Sequence, residues 1–433
     1  MSASQGSTKP AVFGWWREAP RSARRALVAA SLGWMLDSFD VMLYALVLAS
    51  VMAELHLSKA TAGALGSITL LAAAAGGLAF GVVADRYGRT RALMASVLIY
   101  AVFTAACGLA RSFVELAAFR VLLGLGMGGE WASGASLVAE TWPAEHRGKA
   151  LGLVQSSWAI GYALAAAVAA VVMPIGGWRA VFFVGVIPAF LTLWIRRNVE
   201  EPEAWKEARA DLSARAAASQ PGIAALGSAP PAPRTGFAEI FRGQLLRLTV
   251  VLTLMNACCL FAWWGFNQWV PAYLALPKSQ GGIGLTTRAV SVTVIVMQVG
   301  MWFGYVTFGY ISDAIGRRRT YVAYLLAAAG LMLVYGANRS PLALLLLGPF
   351  VAFFATGYFT GFAAVTAEVF PTPIRSTGQG FTYNAGRVAS AAAPFTVGSL
   401  AQTHGFGAAF GMSAAAFLVA AFCWIWIPET KAR

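Results

Sequence analysis

The sequence predicts an all-α polytopic membrane protein: twelve transmembrane helices in two six-helix, pseudo-symmetric halves. Three observations carry that prediction. The first is composition. Of 433 residues, 58% are hydrophobic and 12% charged, against about 25% charged in a soluble domain. Apolar runs of about 20 residues recur along the chain, each long enough to cross a hydrocarbon core of about 30 Å as a helix. The second is a repeat. The basic turn Gly81-Val-Val-Ala-Asp85-Arg86-Tyr-Gly88-Arg89-Thr-Arg91 returns 228 residues on as Gly309-Tyr-Ile-Ser-Asp313-Ala-Ile-Gly316-Arg317-Arg318-Arg319. The same shift carries Glu140 onto Glu368, Pro143 onto Pro371 and Arg147 onto Arg375, so one unit is present twice. The third is charge placement. Termini and even-numbered loops hold 24 Lys and Arg residues, and the opposite loops hold 6. Such an asymmetry marks the cytoplasmic side, and both termini are expected there.

Taken in order, the spans are expected at 26–54, 60–84, 91–110, 113–141, 148–173, 179–196, 245–276, 286–312, 320–338, 341–369, 376–402 and 406–428. The polar, basic segment 1–25 precedes an apolar run too long for a signal-peptide core, so it reads as retained. The halves, 26–197 and 244–428, are joined by a cytoplasmic loop at 198–243, and 429–433 forms a cytoplasmic tail. Within the loop, Glu200 to Arg215 reads as a polar surface helix and 217–235 as an Ala/Pro/Gly/Ser-rich linker. The net charge of +14 follows from the cytoplasmic loops, and no nucleic-acid partner is expected. Cys107, Cys258, Cys259 and Cys423 fall in spans without metal-ligand spacing. They read as buried thiols, and no metal or cofactor is expected.

Ionisable side chains inside a span are costly, which makes each a functional candidate. There are five: Asp37, Asp40, Arg120, Glu130 and Arg387. At 1.5 Å per residue from the flanking basic residues, Asp40, Arg120 and Arg387 lie about 22, 13 and 18 Å deep, in one central band. Glu130 lies about 15 Å nearer the cytoplasm than Arg120. Asp37 and Asp40 are i, i+3 neighbours whose charges oppose each other, an arrangement suited to exchanging a proton. Arg387 has no acid on its own span and offers a planar fork for a carboxylate. Glu130 stays open between a second proton site, a partner for Arg387 and a solvated acid. Polar candidates beside these are Gln155, Asn267, Gln268, Gln298, Tyr383 and Asn384, the last i, i+3 with Arg387. Trp263, Trp264, Trp269, Trp302 and Tyr305 read mainly as packing or interface aromatics.

The doubled turn, the twelve spans and the long central loop resemble the major facilitator superfamily, over about 25–430. Ala314 departs from the pattern where an arginine often sits, so the second turn is expected to lock less strongly. Finer motifs are Asp37-Ser-Phe-Asp40, Arg120-x-x-x-Gly124-x-Gly126-x-Gly128-Gly129-Glu130, and Tyr383-Asn384-x-Gly386-Arg387 before Pro394. These are similar to the sialate/carboxylate:proton and metabolite:proton symporter branches. The resemblance implies the major facilitator fold, with spans 3, 6, 9 and 12 toward lipid and the charged spans around a cavity. It implies proton coupling through Asp37, Asp40, Arg120 and Glu130, with the Asp40 and Arg120 positions facing each other. Substrate would be held by Arg387, Asn384, Tyr383, Gln155, Asn267, Gln268 and Gln298. Gly81, Asp85, Arg86, Gly88, Arg89, Glu140 and Arg147, with Gly309, Asp313, Gly316, Arg317, Glu368 and Arg375, would close the cytoplasmic side. Gly81 and Gly309 would allow close helix approach. The expected protein is no enzyme. It is a monomer that carries a small organic anion with protons, in a bacterial cytoplasmic membrane. A neutral-solute or efflux carrier, and a sensor without flux, stay open as alternatives.

Overall fold

The computed structural model describes residues 16, 19–203, 205–206, 237–371 and 374–429. Segment 1–15, most of the expected surface helix at 200–215, linker 217–235 and the tail beyond 429 lie outside the described residues. Every regular element among those described is helical. The first half holds α1 (Arg21–Glu54), α2 (Lys59–Tyr87), α3 (Arg89–Cys107), α4 (Phe113–Thr141), α5 (Ala144–Val184) and α6 (Ala189–Asn198). The second holds α7 (Gly243–Ala275), α8 (Thr287–Ile315), α9 (Arg317–Ala337), α10 (Pro341–Thr356), α11 (Phe359–Val369), α12 (Arg375–Ser390), α13 (Ala393–Thr403) and α14 (Gly405–Cys423).

Nine helical runs among the described residues are long and apolar enough to cross a membrane. One of them, Gly148–Asn198, runs 51 residues and contains the expected fifth and sixth spans. They are joined through Gly177, whose φ of +66° turns the chain. The expected fourth and eleventh spans stand out less. In α4, Glu115, Arg120 and Glu130 dilute the apolar run. The eleventh span is interrupted at Ala391–Ala392, just ahead of Pro394.

The 228-residue register reappears as local structure. Ser58 and Thr286 cap α2 and α8 through their hydroxyls, and Ser112 and Ser340 cap α4 and α10. Such caps satisfy N–H groups that a helix start leaves open. Gly88 and Gly316 turn the chain with φ of +111° and +102°, a region where glycine carries no steric cost. Close approach is made elsewhere than expected. Nothing lies within 4 Å of a β-carbon built at Gly81 or Gly309, so neither brings helices together. Gly76 and Gly304 do: their β-carbons would lie 2.1 and 2.5 Å from the Leu125 and Phe353 carbonyl oxygens. Packing on these helices is set mid-span, before the turns, by small residues that let backbones touch.

At the face opposite the termini the halves are tied together. Lys59 Nζ donates to the carbonyls of Gln280 (2.7 Å) and Ala401 (3.4 Å), and Ala60 N to Gln402 Oε1 (3.2 Å). Deeper in the seam, Phe395 N donates to Ser67 Oγ (3.1 Å), and within the second half Trp269 Nε1 donates to the neighbouring Pro394 carbonyl (2.9 Å). A cavity of about 700 Å³ at this face is lined by Ser50, His56, Gln280 and Ser291 among others. It touches none of the five ionisable residues of the central band.

Gly128 tests the mid-span packing. Its β-carbon would lie 1.9 Å from the Ala73 carbonyl oxygen, against nothing within 4 Å at Gly148. Backbone cannot give as a side chain can. Gly128→Ala should destabilise the protein by about 1–3 kcal/mol, read as a lower unfolding temperature in detergent. Gly148→Ala should not. Equal temperatures for the two variants would refute this packing.

Candidate functional site

Three helices of the first half build an acid cluster. Asp37 and Asp40 stand on α1, both fully buried. Thr104 on α3 donates its hydroxyl to Asp40 Oδ2 at 3.1 Å. Asp40 Oδ1 and both oxygens of Asp37 have no hydrogen-bond partner among the described residues. Glu130, on α4, lies over Gly33: a β-carbon there would sit 2.5 Å from Glu130 Oε1. Glycine at that position is what admits the carboxylate. Tyr100 on α3 donates to the Gly33 carbonyl (3.4 Å) and is within electrostatic reach of all three acids. The third span, expected to face lipid, therefore forms one wall of the cluster.

Arg120 is held separately. Its Nε donates to Thr69 Oγ1 at 2.8 Å, and its guanidinium lies 3.8 Å over the Tyr44 ring. Among the described residues no ion pair joins it to Asp40. The expected facing pair is thus not formed in this conformation. Thr104 occupies Asp40, Tyr44 and Thr69 occupy Arg120, and Cys107 feels both charges from between them.

From the second half comes Arg387 on α12, 6% exposed. No carboxylate lies within ion-pairing distance of it among the described residues. The acid it acts on is Asp37, across the boundary between the halves. Tyr383, one turn earlier, is within its reach. Asn384, three residues before Arg387, is exposed, and its amide donates to the Gly380 carbonyl at 2.9 Å. Asn267 is buried and points Nδ2 at Met42 Sδ (3.3 Å) in the other half. Gln268 and Gln298 are buried, each with one amide atom unpartnered among the described residues. Gln155 faces the Tyr305 hydroxyl.

Two features were passed over in the sequence. Asn256 on α7 is 1% exposed with neither amide atom partnered among the described residues. It packs on Gly386, beside Arg387, where a β-carbon would come within 3.0 Å of its Cβ. A mid-span asparagine was the available signal. The other is an aromatic bridge. Trp34 and Trp158 have ring centroids 4.8 Å apart, and Trp158 meets Trp264 of the second half edge-on at 6.1 Å. Trp34 stands one turn before Asp37.

Both basic turns are assembled alike. Arg89 pairs with Asp85 (2.5 Å) and Glu140 (2.9 Å), and Arg317 with Asp313 (2.6 Å) and Glu368 (3.2 Å). Partial burial works against each charge, but the flanking carboxylates outweigh it and hold both guanidiniums above their ordinary proton affinity. A third carboxylate completes each turn. Glu201 accepts from Thr90 N and Arg91 N (3.2 Å each), and Glu429 from Arg317 N (2.9 Å) and Arg318 N (3.1 Å). Each places negative charge at a helix N-terminus. The 228-residue shift maps Glu201 onto Glu429, a correspondence that the repeat already contained. Trp205 Nε1 donates to the Asp85 carbonyl at 2.9 Å. The side chain of Arg147 lies outside the described residues.

Two helical halves enclosing a buried polar band are the architecture of a multi-pass membrane transport protein. The Major Facilitator Superfamily profile matches residues 30–304 and 274–433, and the chain belongs to that family. It is 31% identical to the cis,cis-muconate transport protein of Acinetobacter baylyi, over 91% of each chain. It is 28% identical to the sialic acid transporter NanX of Escherichia coli, over 93% of each. The fold is shared with the partially occluded, inward-open xylose transporter XylE of E. coli. The TM-score is 0.75 at 19% identity, covering 96% of this chain and 100% of that one.

The separation of Asp40 from Arg120 can be measured. In a double-mutant cycle of Asp40→Asn and Arg120→Gln, read by thermal unfolding, the effects should add to within about 0.5 kcal/mol. A larger coupling energy would mean that the two charges pair in the resting protein.

Proposed function

We propose that the protein is a proton-coupled symporter that takes up a small organic anion, a monocarboxylate or sialate-like acid, by alternating access between its halves. The observation that carries this reading is Arg387, a buried guanidinium with no carboxylate at ion-pairing distance among the described residues. In a bilayer such a cation is retained for a partner, and a substrate carboxylate fits its planar fork. Asn256 and Tyr383 stand beside it. The relatives named for muconate and sialic acid support an acidic substrate. The Lys/Arg asymmetry supports both termini in the cytoplasm of a bacterial cell, with the closed seam at Lys59 facing outward.

Asp37, Asp40 and Glu130 supply the proton site. Each is buried, and charge at each costs least when a proton or a cation neutralises it. Asp37 lies between the two possibilities: it faces Arg387 in the other half and Asp40 and Glu130 in its own. A substrate carboxylate arriving at Arg387 takes over the cation that Asp37 otherwise sees, and Asp37 is then better protonated. That links substrate and proton without direct contact between them. Protons are the coupling ion, and a single chain suffices for the cycle.

Two outcomes test the reading in proteoliposomes. Arg387→Lys keeps the charge but loses the fork, so apparent affinity for an accumulated acid should fall about tenfold or more, and Arg387→Ala should abolish accumulation. Unchanged acid binding by Arg387→Ala would make the arginine structural and the substrate class wrong. Asp40→Asn fixes a neutral side chain at the coupling site. It should lose uphill, pH-driven uptake while retaining counterflow exchange. Concentration of substrate by Asp40→Asn would move the coupling site to Asp37 or Glu130.

A further inference from the structure

Thr104 lies on α3, a helix expected to turn toward lipid, yet it is fully buried and reaches the acid cluster. Its hydroxyl donates to Asp40 Oδ2 at 3.1 Å. It is the one hydrogen bond that the Asp40 side chain makes among the described residues, since Oδ1 has no partner there. The rotamer is fixed from behind. A β-carbon built at Gly185, in the break between α5 and α6, would lie 2.2 Å from Thr104 Cγ2 and 3.0 Å from its Cβ. Glycine therefore makes the space into which the threonine methyl fits. A β-branched side chain has few χ1 choices, and with the methyl seated on Gly185 the hydroxyl is aimed at α1.

We propose that Thr104, seated on Gly185, is a positioning residue that donates to the ionised form of Asp40 and so sets the pH range over which the carrier takes up its coupling proton. This rests on the proton-coupled reading above. A hydroxyl that donates to a carboxylate favours the charged form. Without it Asp40 holds its proton to higher pH. The other titratable groups facing Asp40 are Asp37 on its own helix and Tyr100 and Cys107 on α3. Arg120 on α4 acts on Cys107, and Glu130 on α4 lies within electrostatic reach of Asp37. The break after α5 presents Gly185 and no charge. Thr104 is thus the group whose removal changes hydrogen bonding to Asp40 while leaving the neighbouring charges in place.

The experiment is uptake of an accumulated organic acid into proteoliposomes as a function of external pH, with unfolding temperature and counterflow exchange measured alongside. Thr104→Val keeps the shape and removes the donor. Its alkaline midpoint of uptake should move upward by about one pH unit, with exchange retained. Thr104→Ser keeps the donor and should stay near wild type. Gly185→Ala, acting from the other helix, should displace Thr104 and move the midpoint in the same direction as Thr104→Val. Equal midpoints for Thr104→Val and Thr104→Ser would overturn the inference, as would a loss of rate with no movement of the midpoint. If uptake by the wild type does not respond to pH at all, the proton-coupled reading fails and this inference with it. A pH-dependent wild type with an unmoved Thr104→Val profile defeats the inference alone.

Discussion

Asp37 and Arg387 stand on different halves of the protein, both buried, and no ion pair joins them. Burying either charge in a medium of low polarity costs several kcal/mol even after local relaxation. A direct ion pair would recover much of that cost, and would also fasten the halves to each other at mid-depth. Leaving the two within electrostatic reach but unbonded keeps the cost high and the boundary free to move. The other buried charges of the band are each engaged by neighbours of their own. Gly33 makes room for Glu130, Tyr44 and Thr69 hold Arg120 aside, and Thr104 engages Asp40.

The duplicated unit is used for mechanics, and the departures from it are used for chemistry. Caps at Ser58 and Thr286, turns at Gly88 and Gly316, and carboxylates at Glu201 and Glu429 coincide under one shift. So do the close approaches at Gly76 and Gly304. The acids have no such counterparts: the shift carries Asp37 onto Gly265 and Asp40 onto Gln268. Glu130 maps onto Tyr358, and Arg120 onto Gly348. Arg387 in turn maps back onto Ala159. Three buried acids therefore belong to one half and the buried arginine Arg387 to the other. A polar asymmetry on a symmetric frame places the acids and the arginine on opposite sides of the boundary between the halves.

Much of this was legible in the sequence, and the part that was not has one main physical cause. Helix rise converts residue number into depth, so the spans, the turns and the central band of charge followed from counting. Rotation of each helix about its axis does not follow from counting. Asp40 and Arg120 have compatible depths, yet their side chains are engaged by Thr104 and by Tyr44. Asn384 and Arg387 share an i, i+3 spacing, yet one is exposed and the other buried. The same limit hid Thr104, an ordinary threonine on a helix assigned to lipid. The error at Gly81 and Gly309 has another origin. A glycine in a motif was read as a contact, whereas the contacts come from Gly76 and Gly304 a turn or more earlier.

The two faces are held by different chemistry. At the face opposite the termini, Lys59 and Ala60 bind carbonyl and amide oxygens of the other half, and Ser67 accepts from Phe395. Hydrogen bonds of this kind contribute about 0.5–3 kcal/mol each and can be exchanged for water as the seam opens. Among the described residues, the ion pairs of the basic turns lie within their own halves: Arg89 with Asp85 and Glu140, Arg317 with Asp313 and Glu368. These ion pairs therefore brace each half internally. Interactions across the boundary include the Lys59 seam, the Trp158–Trp264 contact and the field between Asp37 and Arg387. A ligand that bound these groups differently in two arrangements of the halves would meet the condition for shifting a conformational equilibrium.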